Sequence, residues 1–348
     1  MSSSFLNTPL IPGCAPLGLG SLGLTAPSQA VELVLRNFNE FPFWPQLPKR
    51  TRSELLIHQV ASSAPFLTQS GDPEYIFDRE EACAFEFDYR NQNVEKCALD
   101  PEHALGWFAM MDQMSRLSHC YSYFKSQFPG PFTIASIVRD EERNLIGYEP
   151  EVLQSICRFL ELHAKWQIER IKEQNLTPVL FMDEIVISED YFDTLPLHPT
   201  MIEELYSGLV HSLKAEGAVV GIHCCADANW SLIIDTDLDI ISFDAVKHLD
   251  GFLKYSDSIK DFLLNGGCVS WGVVPNTLPF ASEKNIADYL INAALSLEDD
   301  NLTLTQILQQ SLISATCGLG MLKPDETEQN CQITANVARK IRKSYLDI

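Results

Sequence analysis

The chain has 348 residues, 46% hydrophobic and 21% charged, which is enough apolar material for a full core and far from a disordered composition. Its 47 acidic against 25 basic residues give a net charge of -22, arguing against any ligand held chiefly through its phosphates, nucleic acid first among them. No apolar run approaches the roughly 20 residues of a membrane span, and the opening "MSSSFLNTPLIPGCAPLG" lacks the basic start and apolar centre of a signal peptide. The expectation is a cytoplasmic enzyme with no membrane partner. Its ten cysteines are then expected as reduced thiols, each a small core residue or a metal or catalytic group.

In chain order, short runs rich in β-branched residues end in polar or small ones: "PLGLGSLG" (16–23), "PFTIASIV" (131–138), "PVLFMDE" (178–184), "AVVGIHCC" (218–225), "DIISFDAV" (239–246), "GCVSWGVV" (267–274) and "SLISATCG" (311–318). Between them lie amphipathic stretches such as "PEVLQSICRFLELHAKWQIERIKEQN", with apolar residues at helical spacing. Near-continuous apolar strands alternating with helices imply parallel strands covered by helices, either a doubly wound sheet or a closed barrel. Polar residues sit at the C-terminal ends of many different strands, where barrel enzymes keep their sites. The pattern therefore predicts a (β/α)8 TIM barrel spanning 1–348 as one domain. The less regular stretch from 40 to 130 is expected as an elaborated loop or hairpin over the barrel mouth.

Within "GIHCCADANW", His223 and Cys225 are two apart and share one side of an extended strand, while Cys224 faces the other. The next strand ends in Asp244 and the last in Cys317, each where a barrel strand delivers a side chain to the mouth. One imidazole, two thiolates and one carboxylate suit a tetrahedral zinc ion, with the carboxylate as the weak ligand. H-x-C alone fits a core histidine and core cysteines equally well. The partners on distant strand ends are what point to metal.

These segments resemble the C-terminal barrel of cobalamin-independent methionine synthase, whose pattern is H-x-C, a carboxylate ending the following strand, and D-C-G-L near the C-terminus. "LGLGSLG", "GPFTIASIV" and "PVLFMDE" resemble, in the same order, that family's T-x-I-G-S, G-P-V-T and I-D-E-P segments. The resemblance implies the barrel shared with uroporphyrinogen decarboxylase and coenzyme M methyltransferases, and methyl transfer to a thiol, most simply homocysteine, giving methionine. It implies zinc on His223, Cys225 and Cys317, with Asp244 standing where the family usually has glutamate. It further implies that Asp183 binds the substrate amino group, although Ile185 replaces the motif's proline, and that Leu19, Gly20 and Ser21 contact the substrate carboxylate. Read as residues alone, Asp183 also fits a helix cap, and Gly20 with Ser21 a simple turn.

Departures from the family bear on the methyl donor. The tryptophan expected to stack on folate is Ile137, the histidine expected after the seventh strand is missing from "SWGVVPNTLP", and there is one barrel with no evident basic groove for a polyglutamate tail. A tertiary amine leaves poorly unless protonated, whereas cob(I)alamin leaves without a proton. A methylcorrinoid carried on a separate protein is thus the expected donor. The alternatives are another thiol such as coenzyme M, a uroporphyrinogen-decarboxylase-like protein, or a corrinoid-binding module without catalysis.

Overall fold

The computed structural model describes residues 10–185, 187 and 197–348. Strand β1 (Ala15–Leu17) leads to helix α1 (Pro27–Asn37), then come α2 (Leu56–Ala61), the hairpin β2 (Leu67–Gly71) and β3 (Glu74–Phe77), α3 (Arg79–Arg90) and α4 (Leu105–Leu117). From there the order is β4 (Tyr123–Pro129), α5 (Pro131–Ala135), β5 (Val138–Arg139), α6 (Pro150–Lys172), β6 (Thr177–Asp183), α7 (Pro199–Ala215), β7 (Val219–Cys224) and β8 (Ile240–Asp244). The chain finishes with α8 (Ala245–Leu253), α9 (Ser256–Leu264), β9 (Cys268–Val274), α10 (Glu283–Leu295), α11 (Leu304–Gln309), β10 (Ser311–Ala315) and α12 (Pro324–Ile341). None of these helices is long and apolar enough to cross a membrane.

Seven strands form one parallel sheet in the order β1-β10-β9-β8-β7-β6-β4. Edge strands β1 and β4 are joined through the segment 42–46, which makes isolated parallel bridges from Phe43 to Lys125 and from Gln46 to Ser21. Its backbone bonds are Lys125 N–H to Pro42 O (2.8 Å), Gln46 N–H to Gly20 O (3.1 Å) and Leu22 N–H to Gln46 O (2.9 Å). Trp44 anchors the segment by donating its indole N–H to Ser126 Oγ at 2.7 Å.

Strand alternation splits the core into two bodies. One face of the sheet meets the helices in a large cluster that includes Phe124, Leu180, Ile222, Ile241, Val269 and Ile313. The other parity supplies a separate, smaller cluster of Ala15, Leu17, Phe41, Val179, Phe181, Val219, Ile240, Cys268 and Leu312 on the concave side. Further along that inner parity the residues turn polar: Lys125 and Gln127 on β4, Ser242 on β8, Ser270 on β9 and Ser314 on β10, all buried. The fold is thus α/β, with a curled parallel sheet that is apolar at the N-terminal ends of its strands and polar toward their C-terminal ends.

Six of the seven expected runs lie in this sheet, and "PFTIASIV" is the exception. Residues 131–135 form α5, with Pro131 at its first turn, and the strand of this unit is the preceding "YFKSQFP". Proline has no N–H to give a ladder but fits a helix start, and its fixed φ is already helical. Buried Glu184 receives the N–H groups of Phe132 (3.1 Å) and Thr133 (2.8 Å), and the hydroxyls of Thr133 (2.6 Å) and Tyr206 (2.7 Å), so it caps the start of α5 from the end of β6. A Cβ at Gly130 would lie 2.1 Å from that carboxyl carbon, which is why the strand ends in glycine.

The stretch from 40 to 130 does contain a hairpin; Pro48 and Lys49 reach the loop after β10, while further contacts run along the flank of the sheet. Tyr75 N–H bonds Ile137 O at 3.0 Å, and Trp107 packs edge-on against Phe124 of β4 and tilted against Trp166 of α6. Phe66 meets Phe159 of α6 in the same way. Phe66 and Trp107 thus bury themselves against β4 and α6, which places their part of this region beside the sheet.

Candidate metal centre

His223 lies near the end of β7, Cys225 just beyond it, and Cys317 two residues after β10. One ligand atom from each lies within 4.8 Å of the others. Strands β7 and β10 are separated by β8 and β9, which in a flat sheet would hold them about 14 Å apart at roughly 4.8 Å per step. The convergence of the three side chains is therefore a direct consequence of the curl.

His223 is 6% exposed, and its Nδ1 lies 3.0 Å from Ser242 Oγ. Among the described residues, its Nε2 is buried with no hydrogen-bond partner. A buried imidazole nitrogen left unpaired is costly unless it faces something that takes its lone pair. With Nδ1–H donated to the serine, that lone pair sits on Nε2, which is the tautomer a metal requires. The sulfurs of Cys225 and Cys317 lie within 4.8 Å of each other, and this contact, followed by the nearby imidazole, holds Cys317 well below the usual thiol range. The same contact, with burial behind it, pushes Cys225 up. Zinc bonds of about 2.3 Å to sulfur and about 2.0 Å to nitrogen put tetrahedral ligands some 3.5–3.8 Å apart, so the trio needs little movement to hold the ion. The residues present fit zinc.

Cys224 points the other way, into the helix-side core, where its Sγ lies 3.7 Å from Ala226 O. Asp244 does not join the trio, contrary to the expectation of a fourth protein ligand. Its Oδ1 accepts from the N–H groups of Val246 and Lys247 at 3.0 Å each, capping α8, and its Oδ2 is 3.6 Å from Lys247 Nζ. A helix starts immediately after this strand, and an aspartate at such a junction reaches its own amides before anything across the mouth.

Asp183 is the register partner of His223 and is close enough to it and to Cys317 for their charges to act on one another. Burial pushes its pKa up, and Lys125 and His223 pull it back. Gly20 has φ +133°, a conformation reserved for glycine, and a Cβ there would meet Gln127 Nε2 at 2.6 Å. Ser21 O accepts from Leu319 N–H at 2.9 Å, so the Leu19–Ser21 turn and the Cys317 loop form one wall. Asn276, beyond β9 where a histidine was expected, donates its side-chain N–H to Gly318 O (3.3 Å) and its backbone N–H to Thr316 Oγ1 (3.1 Å). Ile137 is buried in the helix-side core, and Ile185 is exposed with its N–H on Thr133 Oγ1 at 3.0 Å.

Sequence reasoning missed Lys125, Gln127 and Ser242. For Lys125 and Gln127 the available signal was the polar triplet Lys-Ser-Gln inside an otherwise apolar run, "YFKSQFP", directly before Gly-Pro. A cavity of about 180 Å³ lies away from this centre, between α2 and the hairpin, lined among others by Arg52, His58, Asp72 and Tyr75. His58 is held there between Tyr75 OH (2.8 Å) and Asp72 Oδ1 (3.1 Å), with Arg52 on the other carboxylate oxygen, so these groups staple the hairpin to α2.

No protein-family model matches the chain, and no curated protein matches it in sequence. Among solved structures, the chain is similar to the IOLI protein with a binding zinc atom, at 10% identity over 72% of this chain and 92% of that one, with a TM-score of 0.39. It is also similar to D-psicose 3-epimerase in the presence of D-fructose, at 9% identity over 67% and 83%, with a TM-score of 0.35. A xylose isomerase-like TIM barrel/4-hydroxyphenylpyruvate dioxygenase fusion protein gives 11% identity over 68% of this chain and 37% of that one, with a TM-score of 0.37. None of these likenesses bears on the chemistry of the trio.

Proposed function

We propose that the chain is a zinc-dependent methyltransferase that activates a thiol, homocysteine first, for methylation by a methylcorrinoid. In this reading the seven strands and the segment 42–46 form the wall of a (β/α)8 barrel, and the trio sits at its mouth. The observation that carries the proposal is the buried, unpartnered Nε2 of His223 set against two cysteine sulfurs. When bound, zinc supplies the charge that deprotonates the acceptor thiol and keeps it nucleophilic near neutral pH.

The protein's own groups do the rest. Ser242 fixes the imidazole tautomer. With Asp244 engaged as a cap, His223, Cys225 and Cys317 are the residues that would hold the zinc. Asp183 holds the acceptor's ammonium group, and the Leu19–Ser21 turn its carboxylate. The corrinoid donor is favoured because burial of Ile137 leaves no ring platform there, and Asn276 offers no acid for a leaving amine. The donor is read as bound to a separate corrinoid protein.

The test is metal analysis of the purified protein together with methyl transfer from free methylcobalamin to a panel of thiols, with and without a chelator. Zinc near one per chain and chelator-sensitive methylation of homocysteine are expected. A metal-free chain that methylates no thiol sinks the proposal.

A further inference from the structure

Lys125 is fully buried on the inner face of β4. Its Nζ donates to Leu19 O at 2.6 Å and to Gln127 Oε1 at 2.9 Å, and it stands 5.2 Å from the centre of the Phe181 ring. Both accepting oxygens are neutral. Burying an ammonium in this way is costly, and an apolar side chain of the same length would fill the barrel at less expense to stability. A charge retained under such conditions calls for something it acts upon.

Two things are within its reach. The first is the Leu19–Gly20 peptide, whose plane is fixed once the Leu19 carbonyl is held. Gln127, which accepts from Lys125, lies directly under Gly20, where the backbone takes its glycine-only conformation. The second is Asp183, whose carboxylate and the Lys125 ammonium act on each other across the barrel interior. The floor of the site therefore carries a positive pole beneath the 19–21 turn and a negative pole at the end of β6. A zwitterion is the ligand that matches both.

We infer that Lys125 is a positioning residue for an α-amino-acid acceptor: it holds the Leu19–Ser21 turn and supplies the positive charge opposite Asp183 that draws the acceptor's carboxylate to that turn. The inference rests on the amino-acid acceptor of the preceding reading, and it specifies the class: a thiol bearing both an ammonium and a carboxylate.

Binding of L-methionine to the zinc-loaded protein tests it without any methyl transfer, alongside 3-(methylthio)propylamine, which has the ammonium but no carboxylate. In Lys125→Met, methionine affinity should fall about tenfold, while the amine, freed from a competing positive charge, binds as well as before or tighter. Zinc content should stay at the wild-type level. Lys125→Gln, which keeps a donor for Leu19 O without the charge, should show the same divergence and serves if Lys125→Met does not fold. Equal loss for both ligands, unchanged methionine affinity, or no methionine binding by the wild type overturns the inference. Wild-type protein that binds methionine but methylates no thiol overturns the methyltransferase reading and leaves this one standing.

Discussion

At the scale of single residues, alternation along β7 separates neighbours with identical chemistry. Cys224 and Cys225 differ in sequence by one position, yet one lies in the helix-side core and the other among the converging ligands. Cys225→Ser and Cys317→Ser should each lose most of the zinc, whereas Cys224→Ser keeps it, as metal analysis of the three variants will tell. If Cys224→Ser empties the site as completely, the orientation of β7 is wrong. Asp244 tests the same distinction from the other side. As a cap its loss should lower stability by about 1 kcal/mol in Asp244→Ala, while Asp244→Asn, an equally good cap, stays near wild type, and both retain zinc. Loss of zinc in Asp244→Asn would restore that carboxylate to the ligand set. The trio was legible because H-x-C and a cysteine after the last strand are local patterns. The cap was not, because strand parity alone turns Asp244 inward and only the helix that follows redirects it.

At the scale of elements, the strands that the sequence reveals are those with apolar residues on both faces, such as β6, β7 and β9. Strand β4 was hidden because Lys125, Ser126 and Gln127 stand in a row at its centre, and a polar triplet in a fully buried strand imitates a surface loop. Its successor α5 is held by Glu184, a contact between segments about 50 residues apart that no local pattern shows. Gly130→Ala should therefore destabilise the protein by roughly 1–3 kcal/mol, since the new Cβ meets the Glu184 carboxyl, and denaturant melts will measure it. Burial pushes the Glu184 carboxyl from 4.5 up to about 7, against the pull of its hydrogen bonds. A carboxyl whose folded pKa lies above its unfolded one holds more protons when folded, so this group's contribution to stability is present at low pH and declines as pH rises from about 4.5 to about 7. Glu184→Gln should flatten that part of the pH profile while losing stability throughout, because its amide turns a donor toward donors. A profile as steep as the wild type's would assign the slope to other groups.

At the scale of the whole molecule, the identity of the methyl donor is the property that most separates the readings. Methylcobalamin should support thiol methylation, and methyltetrahydrofolate, with or without a polyglutamate tail, should give little or none. A tryptophan placed at Ile137 should not rescue folate use, since the position is buried and the leaving nitrogen still lacks a proton source. Efficient turnover with methyltetrahydrofolate would end the corrinoid reading and leave the zinc trio untouched. The class of the fold was legible from alternation alone, while the way its edges meet was not, because 42–46 pairs through isolated bridges and carries no strand-like run.

That seam divides the molecule mechanically. Within the sheet, the strands from β1 through β10 and β7 to β4 form one continuous ladder that carries His223, Cys225 and Cys317. At the seam itself, 42–46 is stitched to the Gly20–Leu22 turn and to β4 by a few backbone bonds and one tryptophan, so the mouth can breathe there to admit a ligand of a given length. Amide hydrogens of Leu22, Gln46 and Lys125 should accordingly exchange faster than those within β7 and β8, and slow when methionine binds.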